Sequence, residues 1–405
     1  MRLLVITNQF PLPLDMGGPV RILGLMRVLA ASHEVYVLAR RRPDTSDELV
    51  ADLARTLRAP VETFLPGGPR RRGRLAGMWR WLRALQRGMP PWVLAQFDPA
   101  LARRARELAP GCSVVVLLDD YAGAYARRIH GLAPIVADKH NVAGWSASPP
   151  ASTGGGFACA LRAKARHRLS LRLTRRFERR CAREVDALVV TSEEERARFQ
   201  ALYGRLSEAV IPSAVTPGPA RSPRPRPRPC LVGWLGSHGY SANVEGLMRF
   251  VGEAWVPLGE AGFHLLIAGG NPTHAVRSLE RYTGVQVLGY VERLGDLLEQ
   301  LDAAVVPLWR GAGVKIKTLT LMGSGVPVVG TAVAFEGLDA EHGTHCLIGE
   351  DPEELAVGLR AIGDDRELAR RLAVSGRQLV IERFTWESVG PRFVEAVEQA
   401  ALRSR

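Results

Sequence analysis

Residues 217–229 read Pro-Gly-Pro-Ala-Arg-Ser-Pro-Arg-Pro-Arg-Pro-Arg-Pro. Each proline removes a backbone donor and fixes φ, so neither a helix nor a central strand passes through such a stretch, and it reads as an extended linker. The sequence on either side must therefore bury a core of its own. The length of 405 residues agrees, since one hydrophobic core stops growing near about 250 to 300 residues. With 46% apolar and 23% charged residues, disordered, collagenous and disulfide-scaffold classes have no support. The five cysteines (112, 159, 181, 230 and 346) form no C-x-x-C pair and read as small buried apolar residues. No apolar run reaches the roughly 18 residues of a membrane span, and Arg2 leads straight into the apolar run 3–6 without a signal-peptide pattern. The expected location is the cytoplasm.

Both sides alternate short apolar runs with helical periodicity. Strands are expected at 3–6, 33–38, 114–118, 135–137 and 187–190, with a helix at 20–31 after the turn-rich segment 11–18. Beyond the linker, strands are expected at 231–236, 263–268, 285–288, 303–307, 327–330 and 345–348, and helices from Pro352 onward, with an interruption at Phe384, Thr385 and Trp386. Strands separated by helical patterns argue βαβ units and parallel sheets. The expected fold is α/β, two Rossmann-like doubly wound domains facing a central cleft, with ligands beyond the carboxyl ends of the strands. The boundaries read 1–212 for a first domain, 213–229 for the linker, 230–385 for a second domain, and 386–405 for a last helix.

Charge is unevenly shared. Residues 1–228 carry 38 Lys and Arg against 19 Asp and Glu, and residues 229–405 carry 16 against 22. Residues 70–87 hold seven Arg and no acid, with Leu75, Met78, Trp79, Leu82 and Leu85 spaced for one helical face. That reads as a basic amphipathic helix suited to peripheral contact with an anionic membrane, ordinary solvated surface being the alternative. Residues 160–184 hold ten basic residues against Glu178 and Glu184. No aromatic stacking platform or helix-turn-helix pattern accompanies the charge, so no nucleic-acid partner is expected.

The segment from Trp309 to Val329 carries the most chemistry. A strand ends at Pro307, Arg310, Gly311, Ala312 and Gly313 bend the chain, and an apolar-periodic helix starts near Lys315. Helix-start amides with their positive dipole end form a site for phosphate, and Lys315, Lys317 and Arg310 add mobile positive charge there. The loop is neither a Walker sequence nor G-x-G-x-x-G. Glycines that only turn the chain, beside solvated lysines, are the alternative. Asp119 and Asp120, after the strand 114–118, suit the hydroxyls of a bound ligand, although acids capping the next helix read the same way.

The chain resembles the retaining glycosyltransferases of family 4 over nearly its whole length. The likeness rests on Pro11 to Gly18 followed by Arg21, Phe177-Glu178-Arg179-Arg180, Ser192-Glu193, Val210 to Ser213, Gly289-Tyr290-Val291, 301–307, the glycine loop with Lys317, 325–329, Glu336-Gly337-Leu338 and Phe384-Thr385-Trp386. The resemblance implies a GT-B fold, with 1–212 as the acceptor-binding domain, 230–385 as the nucleotide-sugar-binding domain and 386–405 as a helix crossing back to the first, and transfer of a sugar from a nucleotide donor with retention of configuration. No metal and no cofactor beyond the nucleotide sugar are expected, and the sequence has no Asp-x-Asp motif. Lys317 and Lys315 would neutralise the leaving diphosphate, and His140, after the strand 135–137, would stand on the acceptor side with Asn141 and Arg21. Gly17, Gly18, Gly236, Ser237, Gly289, Tyr290, Val291 and Glu336 would border the donor. The family places a carboxylate two residues before Met322, paired with an acid eight positions further back, seven residues lying between them; here those positions are Thr320 and Ala312. A hydroxyl accepts one hydrogen bond where a carboxylate accepts a charge-assisted pair. The expected substrate is a hydroxyl-bearing acceptor, a natural-product aglycone or pseudosugar, or a lipid-linked glycan precursor. A catalytically silent or atypical GT-B protein that binds a partner or an anionic surface, and an epimerase on the same scaffold, are the alternatives.

Overall fold

Runs of Val, Leu and Ile such as 114–118, buried at every position, have no polar face to offer water. They form strands covered on both sides by helices, which is how parallel sheets are built. The computed structural model describes residues 1–14, 17–43, 45–65, 74–145, 157–219, 230–311 and 313–403, and the chain divides into two compact units. Residues 220–229 of the expected linker lie outside the described residues.

The first unit comprises Met1–Pro13, Leu25–Ile211 and Pro391–Arg405. Its sheet contains β1 (Arg2–Thr7), β2 (Glu34–Arg40), β3 (Val61–Phe64), β4 (Val114–Leu118), β5 (Ile135–Lys139), β6 (Ala187–Val190) and β7 (Ala209–Val210). The order is β3-β2-β1-β4-β5-β6-β7, every pairing parallel. The switch of direction lies between β1 and β4, so loops leaving their carboxyl ends are placed for ligands.

The second unit comprises Leu14–Gly24 and Pro212–Gly390. Its sheet contains β8 (Cys230–Leu235), β9 (Phe263–Ala268), β10 (Val285–Gly289), β11 (Ala303–Val306), β12 (Val328–Gly330) and β13 (Leu347–Ile348), again all parallel, in the order β10-β9-β8-β11-β12-β13. Trp234, Phe250, Trp255, Leu265 and Ile267 fill one side of it, and Leu319, Leu321, Met322, Val328 and Phe335 the other. Burying each such side chain contributes about 1.5 to 3 kcal/mol.

Several boundaries differ from the sequence expectation. The edge strands β3 and β7 carry too few residues for a periodic signal. The first helix begins at Gly17 and runs to Ser32, because proline is tolerated in a first turn and Pro19 does not break it. Residues 14–24 group with the second unit, which a linear reading of domains does not anticipate. Residues 212–219 also belong there: Val215 donates its amide to the Phe384 carbonyl (2.9 Å) and bridges Thr385.

Candidate active site

In the second unit the chemistry collects at the carboxyl ends of β8 and β11. After β11 the chain turns through Gly311 (φ 153°) and Gly313 (φ 70°), backbone values that favour residues without a Cβ. The helix Ile316–Gly323 then starts, with Lys315 as its N-cap residue making no side-chain capping bond. Its positive dipole end therefore faces the loop without an internal counter-charge from that residue.

Two lysines flank this start. The Lys315 ammonium donates to the Gly313 carbonyl and lies 3.3 Å from the Glu336 carboxylate. The Lys317 ammonium donates to Asn243 Oδ1 at 2.7 Å and sits 5.2 Å from the centre of the buried Trp234 ring. Asn243 passes the connection on, donating from Nδ2 to the Ser237 carbonyl at 2.9 Å. Burial against the indole and repulsion from Lys315 pull Lys317 down to about 7. A lysine so placed is short of negative charge.

The loop after β8 closes around the same spot. Gly269 is held where a Cβ would sit 1.9 Å from the Gly236 carbonyl oxygen, so β8 and β9 leave the sheet in near contact only because no side chain intervenes. The His238 ring stacks on Trp234 (centroids 5.4 Å apart, 26° between planes), and its Nδ1 lies 3.1 Å from the Gly270 carbonyl. Tyr290 is exposed beside Gly270, and Val291 packs on the core. Gly17 also belongs here: a Cβ on it would touch Ile316 Cδ1 at 3.4 Å, which sets the first turn of Gly17–Ser32 against the residue preceding Lys317.

The structure thus brings Gly17, Gly236, Ser237, Lys315, Lys317 and Glu336 together around one helix start, and adds Trp234 and His238, which sequence reasoning passed over. Trp234 looks like any apolar strand residue; His238, in the run Gly-Ser-His-Gly, offered the signal of a polar ring inside a strand-end loop. Arg310 departs from expectation. Its guanidinium grips Glu245 in a bidentate pair (2.6 and 2.8 Å) and Ser241 (2.9 Å), so its charge is already matched. Thr320 donates its hydroxyl to the Ile316 carbonyl at 2.9 Å, leaving an oxygen able only to accept. Ala312 lies outside the described residues.

Comparison with known families bears on this geometry directly. The family described as Glycosyltransferase Family 4 matches residues 17–218, and that described as Glycosyl transferases group 1 matches residues 229–365. The chain belongs to the group 1 glycosyltransferases. Solved structures agree on the GT-B fold of this glycosyltransferase. The sucrose-phosphate synthase of Thermosynechococcus elongatus is 17% identical with a TM-score of 0.70, covering 100% of both chains. HepE from Anabaena, solved with UDP and glucose, is 14% identical with a TM-score of 0.66, over 98% of this chain and 100% of that one. WaaG, a glycosyltransferase involved in lipopolysaccharide biosynthesis, is 14% identical with a TM-score of 0.62, over 98% and 99%. No curated protein sequence matches.

In the first unit of this glycosyltransferase the acceptor-side candidates are built differently. Asp119 is buried with φ 138°, an unusual conformation for a side-chain-bearing residue. Its two oxygens accept from Thr7 Oγ1 (2.7 Å) and from the amides of Asn8 (2.6 Å), Gln9 (3.2 Å), Tyr121 (2.8 Å) and Ala122 (2.7 Å). The carboxylate ties the end of β1 to the end of β4, and the expectation that it holds acceptor hydroxyls is corrected: its lone pairs are taken. Asp120 accepts the buried Lys139 ammonium at 2.8 Å, which also meets Glu178 at 3.0 Å. Arg21, whose segment Leu14–Gly24 groups with the second unit, is buried. His140 keeps a partly open place, with Nε2 3.1 Å from the buried Asp138 carboxylate, and Asn141 is half-buried next to it. Among the described residues no cluster of three or more His, Cys, Asp or Glu side chains is arranged to hold a metal ion, and no helix is long and apolar enough to cross a membrane.

Proposed function

We propose that the chain moves a sugar from a nucleoside diphosphate donor to an acceptor hydroxyl with retention of anomeric configuration, in the cytoplasm and without a cofactor. The observation that supports this most is Lys317, half-buried at a helix start beside Lys315 and lowered to about 7. A diphosphate supplies the missing negative charge. As the bond between the anomeric carbon and the phosphate oxygen breaks, charge grows on that oxygen, and preorganised cations are worth most there.

In the proposed step the acceptor oxygen bonds to the anomeric carbon on the face that the diphosphate leaves. Its proton passes to the departing phosphate oxygen, and no bond to the protein forms. His140, its ring set against Asp138, is assigned to the acceptor as a hydrogen-bond partner. Glu336, already drawn in by Lys315, is assigned to the donor hydroxyls that Thr320 meets with a single oxygen. HepE holds UDP and glucose, which supports a nucleoside diphosphate sugar as donor. WaaG serves lipopolysaccharide biosynthesis, which supports a lipid-linked glycan precursor ahead of a natural-product aglycone or pseudosugar as acceptor. The uncharged Thr320 favours a second reading, a protein on this scaffold that binds a nucleotide without transferring, or an epimerase.

Thermal shift with a panel of nucleoside diphosphates, donor hydrolysis with the matching sugars, and the anomeric configuration of any product by NMR test these readings. A rise in melting temperature together with nucleotide release and a retained anomer is expected. Binding with no release selects the silent reading, and no binding by any nucleotide ends both.

A further inference from the structure

The helix Arg74–Arg87 leaves most of its described large apolar side chains exposed. Met78 is 60% exposed, Trp79 57%, Leu82 43% and Leu85 47%, while Ala84 is buried. These four are the only exposed large hydrophobic residues on any one described helix in such number, and the helix has 14 residues. Positions 78, 82 and 85 follow the i, i+4, i+7 spacing of one face. Arg80, Arg83 and Arg87 fall roughly 140 to 200° around the axis from Met78, and the helix holds no acid. A helix of a soluble domain normally turns its apolar line inward; among its described side chains this one turns inward only a strip holding the half-buried Trp81 and the buried Ala84. The same unit adds more of this chemistry. In Phe157–Glu184, Leu161 is 59% exposed and Arg162, Lys164, Arg166, Arg168 and Arg172 are exposed. The two helices meet where Arg180 donates to the Arg87 carbonyl at 3.4 Å. Leu75, part of the expected face, lies outside the described side chains.

We propose that the helix Arg74–Arg87 is a docking surface for an anionic lipid bilayer. Met78, Leu82 and Leu85 enter the boundary between headgroups and acyl chains, Trp79 takes the interfacial position its amphipathic ring prefers, and Arg80, Arg83 and Arg87 meet lipid phosphates. Charge complementarity selects this occupant: an apolar groove on a protein would satisfy the apolar line and leave the guanidinium groups uncompensated, whereas an anionic bilayer satisfies both. The inference is independent of the transfer reaction.

Flotation of the full chain with phosphatidylcholine vesicles, with and without about one third phosphatidylglycerol, tests it. Binding is expected only to the anionic vesicles and weakens as salt shortens the screening length. Replacing Arg80, Arg83 and Arg87 together by Gln weakens it roughly 100-fold, at about 1 kcal/mol per arginine. Leu82→Ser with Leu85→Ser weakens it about tenfold or more. Because all these residues are exposed, circular dichroism and melting should stay as in the parent chain. Should a variant fail to fold, brominated acyl chains quench the parent's fluorescence and the quenching drops in Trp79→Phe. Absence of flotation on anionic vesicles, equal flotation of both variants, or equal quenching after Trp79→Phe overturns the proposal. So does light scattering that shows a dimer dissolved by the Leu82 and Leu85 changes, which would make the apolar line an interface between copies.

Discussion

Lys139 and Lys317 both sit near the carboxyl edge of a parallel sheet, one in each unit, and their surroundings treat them in opposite ways. Burial works against a charged Lys139, yet the carboxylates of Asp120 and Glu178 outweigh it and hold the ammonium protonated above its ordinary value. Glu178 is satisfied in turn by the amides of Ala143 and Gly144 and by the Tyr203 hydroxyl. Lys317 has a neutral amide for a partner and a second lysine for a neighbour, and drops to about 7. Position near a strand end therefore says little by itself. A lysine enclosed by carboxylates has its electrostatics closed within the fold, whereas one among neutral groups gains most from an anion that arrives later.

Four experiments press on this contrast. Lys139→Met strands the buried Glu178 carboxylate and the half-buried Asp120 carboxylate and should cost about 3 to 5 kcal/mol in denaturant unfolding. Restoring part of that loss by adding Glu178→Gln would tie the cost to the pair, and an unchanged midpoint would undo the contrast from the first unit's side. Lys317→Ala removes a cation that burial disfavours and should not lower stability near neutral pH, while transfer slows about 10²- to 10³-fold; near-normal turnover would remove the lysine from the leaving-group role. The pH dependence is smaller and more diagnostic. Diphosphate needs protonated Lys317, so its affinity measured by calorimetry should weaken as pH climbs above about 7, by at most about tenfold per pH unit. Without ligand the sign reverses: the unfolded chain binds the proton the folded one has released, so stability should rise between about pH 7 and pH 10.5. Both trends should vanish in Lys317→Met. Last, Thr320→Glu should tighten nucleotide binding about tenfold if a ribose hydroxyl lies there; unchanged affinity would give that contact to Glu336.

Much of the scaffold was legible because it is local. Val114 to Leu118 announces a doubly covered strand by having no polar alternate residue, and Gly311 and Gly313 announce a bend before a helix. The two-residue β7 and the half-buried β3 give no such signal, since pattern needs length. At the candidate site, Lys315 and Lys317 could be chosen from their place after a glycine loop. Arg310 could not be told from them, because Glu245 lies 65 positions away in sequence and only the folded helix Ser241–Ala254 presents it. Asp119 was ambiguous for a similar reason: whether its oxygens were spent depended on Thr7 and Asn8, 112 and 111 positions earlier.

The chain crosses between the units four times, and this carries a practical consequence. Pro391–Arg405 counts with the first unit, where Phe393, Val397 and Ala400 are buried and Arg392 donates to the Val210 carbonyl at 2.9 Å. Leu14–Gly24 counts with the second. Scission at the proline-arginine tract would hence yield fragments that each lack a piece of their own interior and carry a piece of the other's. A separately expressed second unit should carry the segment 14–24 and stop near Gly390, because truncation at the tract alone would leave an orphaned amphipathic tail.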